Sequence, residues 1–259
     1  MKLLEDKRAL IFGIANDHSI AWGIAQAMHA HGANIALSYA SDKLERRVRP
    51  LAEAVNADFV ELCDVSREED ITTLFQKAAQ ELKTIDILIH AIAFANREDL
   101  MDRFHKTSRE GFRLALDISV YSLIALARET IPLMPNGGSM LTLTYLGAQR
   151  VVQNYNIMGV AKAALETTTR YLAADLGPQN IRVNAISAGP IRTLSAAGIS
   201  GFRSMHRRFA SQSPLQRNVT SDDIGGAAVW LCSDLAKNVT GEVLFVDSGY
   251  NILGLSMAP

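Results

Sequence analysis

A regular alternation of short apolar runs with longer segments of helical periodicity most constrains what this chain can fold into. The predicted strands are Arg8–Phe12, Asn34–Tyr39, Asp58–Leu62, Ile85–His90, Ser139–Thr144, Ile181–Ser187 and Glu242–Val246. These runs are apolar along most of their length, which is typical of strands covered on both faces, as in a parallel sheet.

Helices are predicted between the strands, near residues 20–31, 43–56, 67–83, 109–132, 155–176 and 221–233. For the third helix, Ser66 and Glu69 have the spacing of a capping box. This alternation indicates a single α/β domain over residues 1–259, a Rossmann-type doubly wound parallel sheet of about seven strands with helices on both faces. The sequence contains no linker, internal repeat or low-complexity tract.

The interval 194–214 breaks the alternation, because it follows a strand but contains Ser, Gly and Arg and is only weakly periodic. We interpret it as an inserted substrate-binding loop, or lid, with helices. An ordinary surface crossover helix is the alternative.

Charge and composition narrow the classes of partner. The 26 Lys and Arg residues nearly cancel the 27 Asp and Glu residues, so a net charge of −1 gives no broad basic field for nucleic acid or anionic lipid. The two cysteines form no Cys/His cluster with metal-ligand spacing, and such sparse usage fits a reducing cytosol. Neither a signal peptide nor a run of about 18 apolar residues is seen. We therefore expect a cytoplasmic protein that binds no metal, nucleic acid or membrane.

In sheets of this type, ligands bind beyond the carboxyl ends of the strands. After the first predicted strand, Gly13 allows a tight turn close to a phosphate, Ser19 offers a hydroxyl, and the next helix offers free N–H groups. This segment is not a G-x-G-x-x-G motif, and a turn glycine followed by a capping serine is the alternative interpretation. Its position in the first βα turn favours a dinucleotide site.

Two further strand ends carry candidate cofactor contacts. After the third strand, Asp64 would accept a hydrogen bond from an adenine amino group, with Val65 against the ring. An aspartate that only starts a helix is the alternative, which the spacing alone favours. After the fourth strand, the small residues among 91–95 would let a ribose and nicotinamide lie against the backbone. Close packing of helix on strand is the alternative there.

Tyr155 and Lys162 form the sharpest constellation. Their separation of seven places them on one face of an α-helix, two turns apart. Lys162 is flanked by alanines, an unusual place for a solvated lysine. An ammonium near a phenol favours the phenolate and makes the phenol a better acid, and it can also bind ribose hydroxyls. Tyr-x6-Lys is common by chance, so an exposed Tyr and an exposed Lys are the alternative.

Two more strand ends complete the edge of the predicted sheet. Tyr145 follows the fifth strand; a half-buried boundary aromatic is its alternative interpretation. After the sixth strand, Gly189-Pro190 predicts a rigid turn, and the Thr193 hydroxyl can meet a phosphate or carboxamide. A turn without a ligand is the alternative.

Taken together, these segments resemble one family in their order and spacing. The motifs are the Gly13 loop, Asp64-Val65, Tyr145-x9-Tyr155-x6-Lys162 and Gly189-Pro190-Ile191-x-Thr193. Ordinary short-chain dehydrogenases/reductases have Tyr-x3-Lys, whereas the x6 spacing with an upstream tyrosine resembles the divergent branch of bacterial enoyl-[acyl-carrier-protein] reductases. The resemblance extends over nearly the whole chain.

The resemblance implies an NAD(P)-binding domain that reduces trans-2-enoyl thioesters, carried by acyl carrier protein, in the last reductive step of fatty-acid elongation. Hydride would pass from the nicotinamide to the β-carbon, and Tyr155 would donate to the thioester oxygen, where negative charge develops. Lys162 would bind the nicotinamide ribose. The implied catalytic residues are Tyr145, Tyr155 and Lys162, and the implied substrate contacts are Ala95, Tyr145 and Tyr155. The implied cofactor contacts are Gly13, Ser19, Ile20, Asp64, Val65, Ile92, Lys162, Ile191, Arg192, Thr193, Leu194 and Ser195.

Some positions depart from the family pattern. Ala93 stands where many relatives have Gly, and Ala40 stands where a residue such as Gln often occurs, which puts the adenosine-ribose contact in doubt. Near the end of the second strand, Ala40 and Ser41 offer no cation for a 2′-phosphate, and Asp42 would repel one, so we expect NADH rather than NADPH. Lys43 is the residue that would weaken this argument.

The resemblance also implies a homotetramer, with the apolar segment 252–255 as a subunit contact. Packing of that tail on its own chain is the alternative. A different dehydrogenase of the same fold, such as a 3-oxoacyl thioester reductase, is the nearest functional rival, but it would need a lysine where Gly159 stands. A non-catalytic dinucleotide sensor is a second rival; such a protein could lose the Tyr/Lys pair, which this chain retains.

Overall fold

The computed structural model describes residues 2–194 and 202–254 of the chain. Its strands are Arg8–Phe12 (β1), Asn34–Tyr39 (β2), Val60–Leu62 (β3), Ile87–His90 (β4), Gly138–Thr144 (β5), Ile181–Ala188 (β6) and Val243–Val246 (β7). All pairings are parallel, and the seven strands form one sheet in the order β3-β2-β1-β4-β5-β6-β7. The predicted fold class is therefore confirmed, with strand ends that differ from the predicted ones by at most two residues.

Nine α-helices lie in the described part of the chain. They are Ile20–Ala30 (α1), Asp42–Ala54 (α2), Glu68–Glu81 (α3), Arg97–Met101 (α4), Arg109–Leu116 (α5), Ser122–Thr130 (α6), Asn156–Leu176 (α7), Phe202–Gln212 (α8) and Ser221–Cys232 (α9). The chain runs outward from β1 to β3 and then returns to place β4 beside β1. In doubly wound sheets, ligands usually bind at such a reversal, beyond the carboxyl ends of the strands, which here are β1 and β4.

The core occupies both faces of the sheet, because alternate residues of each central strand point to opposite sides. In β1, Ala9 and Ile11 pack into a cluster with buried residues of α1, α2 and α9. Leu10 and Phe12 pack into a second cluster with α3, α6 and α7. Two-sided burial explains why the strands are apolar at nearly every position.

The prediction of one continuous helix near 109–132 is wrong, because the α-helix is interrupted in its middle. A π-helical turn, Asp117–Tyr121, separates α5 from α6. At this turn the Ser122 hydroxyl donates to the carbonyl oxygen of Ile118 at 2.6 Å and contacts Nε2 of His90 at 2.8 Å. Serine back-bonding of this kind bends helices, and the partner on β4 lies 32 residues away in sequence. The helical periodicity of the sequence does not indicate such a partner.

The capping box predicted at Ser66 is also wrong. The residue that precedes α3 is Arg67, and the Ser66 hydroxyl instead donates to the Asp64 carboxylate at 2.7 Å. A capping box is present at the start of α9, where Thr220 and Asp223 bond to each other's backbone N–H groups. Short polar side chains have several local acceptors, so spacing alone does not choose between them.

The interval 194–214 contains the helix α8, whereas its role as a substrate-binding loop stays a prediction. Residues 195–201 of this interval, including the predicted cofactor contact Ser195, lie outside the described residues. The short helix α4 was not predicted from the sequence.

Candidate active site

The predicted site residues lie at one edge of the sheet, because they follow the carboxyl ends of parallel strands. Gly13 follows β1, Asp64 and Val65 follow β3, and Ile92 and Ala95 follow β4. Tyr145 follows β5 directly, and Ile191 to Leu194 come shortly after β6. Tyr155 and Lys162 reach the same edge from the first turns of α7.

The loop after β1 approaches the end of β4 very closely. Gly13 has a φ of +101°, and a Cβ placed on it would lie 2.1 Å from the carbonyl oxygen of Ala91. Only glycine fits this position without a backbone shift. The Ser19 hydroxyl accepts hydrogen bonds from the N–H groups of Ala15 and Asn16 at 3.0 and 3.1 Å. Ser19 therefore holds the loop in place at the start of α1, where Ile20 is the first helical residue.

Asp64 lies three residues before Arg67, the residue that precedes α3, and its carboxylate bonds within this local turn. One carboxylate oxygen accepts from the Ser66 N–H at 3.0 Å and from the Ser66 hydroxyl. Val65 is half-buried and packs against the core, as does Ile92 on the same side of the sheet. The adenine contact of Asp64 stays a prediction.

Tyr145 and Tyr155 form an aromatic pair at the end of β5. Their ring centroids are 4.9 Å apart and their planes meet at 67°. Gly147 makes room for the pair, since a Cβ on it would lie 2.4 Å from a ring carbon of Tyr155. The Tyr145 hydroxyl lies 3.7 Å from the Met205 sulfur and so connects the pair to α8.

Both phenols are strongly held in the neutral form. Burial, and then the neighbouring Tyr145, raises the pKa of Tyr155 above the ordinary value for a phenol. Burial, and then Tyr250, raises the pKa of Tyr145 to about 12. The structure thus differs from the expectation that Lys162 would favour the Tyr155 phenolate. A neutral buried phenol is a hydrogen-bond donor.

Lys162 is buried, with only 5% of its surface exposed. Its ammonium donates to the carbonyl oxygen of Leu143, at the end of β5, at 2.7 Å. Burial lowers the pKa of Lys162 to about 8, and Glu166 partly opposes this effect. The alternative interpretation, an exposed Tyr and an exposed Lys, is therefore wrong for this pair.

Sequence reasoning missed a second layer of buried polar residues. Oε1 of Glu166 accepts from the Thr144 hydroxyl at 2.9 Å, and Oε2 accepts from the Gln149 side chain at 3.1 Å. The one available signal was the position of Glu166, four residues after Lys162 on the same helix face.

His90, at the end of β4, was missed as well. Nδ1 of its ring lies 2.8 Å from the Thr142 hydroxyl and Nε2 lies 2.8 Å from the Ser122 hydroxyl. Burial, and then the charge of Lys162, lowers the pKa of His90 to about 3, so the ring is neutral at ordinary pH. Ser119, in the π-helical turn, accepts from the Phe94 N–H at 3.0 Å. These bonds fix the segment after β4 to the π-helical turn.

The remaining predicted contacts vary in exposure. Ala95 is partly buried against the cluster that contains Tyr155 and Met158. Ile191 packs against the core, Arg192 is exposed, and Leu194 is 55% exposed. Thr193 lies between them, half-buried.

Residues 2–194 and 202–254 form neither a metal-binding cluster nor a membrane-spanning helix. No group of three or more His, Cys, Asp or Glu side chains is arranged to hold a metal ion. None of the helices in this part of the chain has the length and apolar character needed to cross a membrane.

Comparison with known proteins gives a consistent result. The family model described as "Enoyl-(Acyl carrier protein) reductase" matches residues 13–251. Among curated relatives, the Rickettsia prowazekii protein named enoyl-[acyl-carrier-protein] reductase [NADH] is 52% identical, over 98% of this chain and 97% of its own length. The Bacillus cereus protein of the same name is 53% identical, over 98% of this chain and 100% of its own length.

Solved structures agree with the sequence relatives. The Aquifex aeolicus enoyl-[acyl-carrier-protein] reductase (NADH) superposes with a TM-score of 0.95 at 50% identity, covering 98% of this chain and 100% of its own. The Bacillus cereus enzyme, solved with NADP+ and an indole naphthyridinone, has a TM-score of 0.96 at 53% identity, with the same coverage. The chain belongs to the enoyl-acyl carrier protein reductase family.

Proposed function

We propose that the chain reduces the double bond of trans-2-enoyl thioesters, carried by acyl carrier protein, with NADH as the hydride donor. The observation that supports this most directly is the convergence of Tyr145, Tyr155 and Lys162 at one sheet edge, with the two rings 4.9 Å apart. The names of the relatives, which include NADH, support the cofactor and the reaction.

The residues at the sheet edge fit a dinucleotide. Gly13 is exposed and lets the loop after β1 approach the end of β4 closely, and α1 begins beside this loop with its first N–H groups. We propose that Gly13, Ser19 and Ile20 border the phosphates and that Asp64 and Val65 border the adenine. Ile92, Lys162 and the segment 191–195 would border the nicotinamide half.

Each catalytic side chain has a separate task in this proposal. The bound NADH supplies the hydride that the substrate's β-carbon accepts. Negative charge would then grow on the thioester oxygen, where Tyr155 donates a hydrogen bond from a phenol that burial keeps protonated, and a proton taken up at the α-carbon would complete the reduction. An ammonium has three N–H donors, so Lys162 can bond Leu143 and still bind ribose hydroxyls.

Tyr145 and Ala95 would form the wall of the acyl pocket. Tyr145 packs on Tyr155 and contacts Met205 of α8, so it lies between Tyr155 and this helix. Ala95 packs on the same cluster as Tyr155. A thin acyl chain would pass between these groups with its thioester oxygen at Tyr155.

The test is NADH oxidation by the purified protein with a crotonyl thioester, compared with a 3-oxobutyryl thioester. We expect turnover with the enoyl substrate and little with the 3-oxo substrate, since Gly159 stands where a 3-oxoacyl reductase would have its lysine. The opposite preference would identify a 3-oxoacyl reductase. Tight NADH binding with turnover of neither would identify a sensor.

We also propose a cytoplasmic homotetramer. Ile252, the first residue of the apolar segment, is 74% exposed and so offers an apolar contact to another copy. Phe112, Tyr121 and Ile124 form a second exposed apolar surface on α5, the π-helical turn and α6. Cys63 and Cys232 are buried and unpaired, which fits a reducing compartment. Light scattering of the purified protein tests the tetramer.

A further inference from the structure

Lys162 and Glu166 bond to two consecutive residues at the carboxyl end of β5. The ammonium of Lys162 donates to the carbonyl oxygen of Leu143 at 2.7 Å, and Glu166 accepts from the hydroxyl of Thr144 at 2.9 Å. Both side chains are 5% exposed. One turn of α7 is therefore attached to the end of the strand through a buried cation and a buried carboxyl group.

The two carboxyl oxygens of Glu166 are both placed as hydrogen-bond acceptors. Each of its two oxygens accepts a hydrogen bond, one from Thr144 and one from Gln149. A carboxylate can only accept, whereas a protonated carboxyl group must also donate. Buried carboxylates are stable when hydrogen bonds and a nearby cation compensate their charge, and Lys162 is the cation at this position.

The other titratable groups that face Lys162 carry no charge. His90, from β4, is held neutral by burial and by Lys162 itself. Tyr145 and Tyr155, from the end of β5 and the start of α7, have pKa values raised by burial. Among the described residues around the Lys162 ammonium, Glu166 is the anion that acts on it.

We propose that Glu166 is a positioning residue of this active site, whose buried carboxylate holds Lys162 as an ammonium ready to bind the cofactor ribose. The inference rests on the proposed function, because it takes Lys162 to be the ribose anchor. Burial by itself opposes the charged form of Lys162, so an anchor that stays charged at neutral pH requires a compensating anion, and Glu166 lies one helical turn away.

The experiment measures NADH affinity against pH, by fluorescence titration, for the wild type, Glu166→Gln and Thr144→Val. Removing a negative charge lowers the pKa of Lys162, so Glu166→Gln should lose NADH affinity at a lower pH than the wild type. The alkaline limb is the pH range over which NADH affinity falls as Lys162 loses its proton. For Glu166→Gln, we expect this limb to lie about one pH unit lower than for the wild type. At about pH 6, where Lys162 is protonated in both proteins, the two affinities should be similar.

Thr144→Val is the matched control. It removes the hydrogen bond of Glu166 to the strand but keeps the carboxylate, so its alkaline limb should stay at the wild-type pH even if the protein is less stable. Gln at position 166 still accepts from Thr144, so the two variants separate charge from hydrogen bonding.

A Glu166→Gln protein that loses affinity by the same factor at every pH, or loses none, overturns the proposal. If this variant does not fold, Glu166→Asp takes its place, because the shorter side chain draws the charge away from Lys162. The alkaline limb of Glu166→Asp should then move to lower pH by less than one unit. An alkaline limb that stays at the wild-type pH overturns the proposal. A wild type that binds NADH but does not reduce crotonyl thioester refutes the reductase and leaves this comparison intact.

Discussion

The rings of Tyr155 and Tyr145 pack edge to face, with centroids 4.9 Å apart. This ring contact positions Tyr155 and does not involve its hydroxyl. Tyr155→Phe should therefore keep the packing and lose only the donor. We expect NADH affinity close to that of the wild type and turnover lower by about 10²–10⁴-fold. Binding titrations and steady-state rates with a crotonyl thioester measure both quantities.

Tyr145→Phe is the control for Tyr155→Phe, because it removes a hydroxyl that contacts Met205. It should change KM more than kcat. Equal losses of kcat in the two variants would mean that the donor role does not belong to Tyr155 alone.

Lys162 should contribute to NADH binding and lower the folding stability of the protein. Lys162→Met removes the ribose anchor, so NADH binding should be largely abolished. Lys77→Ala removes a lysine paired with Glu61 at the surface and should leave binding unchanged. Normal NADH affinity in Lys162→Met would rule out the ribose role.

The same variant should be more stable than the wild type at neutral pH. The pKa of Lys162 is lowered from 10.5 to about 8, so below pH 8 the folded protein bears the cost of a buried ammonium, on the order of 3 kcal/mol. Loss of the bond to Leu143 offsets about 1 kcal/mol of the gain.

The pH dependence of that gain has a definite sign. Between about pH 8 and 10.5 the unfolded wild type keeps the Lys162 proton and the folded one releases it, so wild-type stability rises with pH. The advantage of Lys162→Met should be largest below pH 8 and shrink towards pH 10.5. Denaturant unfolding on both sides of this window measures it, and a constant difference would contradict the assignment.

Gly13→Ala should destabilise the protein and weaken NADH binding together. A methyl group at this position meets the Ala91 carbonyl at 2.1 Å on a backbone with φ of +101°. The combined strain is roughly 2–4 kcal/mol. Gly226→Ala, in α9, is the control: its Cβ meets nothing within 4 Å, and it should be neutral or stabilising by up to about 1 kcal/mol. Calorimetry measures the stability of both variants, and binding titration measures their NADH affinity.

The chain should prefer NADH to NADPH. Ala40, Asp42 and Lys43 are exposed at the end of β2, and Asp42 is the first residue of α2, where it would repel a 2′-phosphate. We expect kcat/KM for NADH to be at least about tenfold higher, and Asp42→Asn to narrow the difference. Equal values for the two cofactors would show that Lys43 or another cation serves the phosphate; Lys43→Ala would then lower the NADPH value alone.

Much of the fold and the family were predictable, because they depend on local patterns. The seven strands are found where continuous apolar runs predict them, since burial on both faces demands such runs. Tyr155 directly precedes α7 and Lys162 lies within it, so a spacing of about two helical turns brings both to the same edge. The resemblance to enoyl-acyl carrier protein reductases is confirmed by the family model and by relatives at about half identity.

Contacts between distant segments were decided by the tertiary structure alone. Ser122, which follows the π-helical turn, bonds to His90 of β4, 32 residues away in sequence. The sequence places Lys162 on the correct helix face. Only the packed structure buries it against Leu143 beside Glu166 and lowers its pKa, because burial and charge depend on what other elements bring alongside.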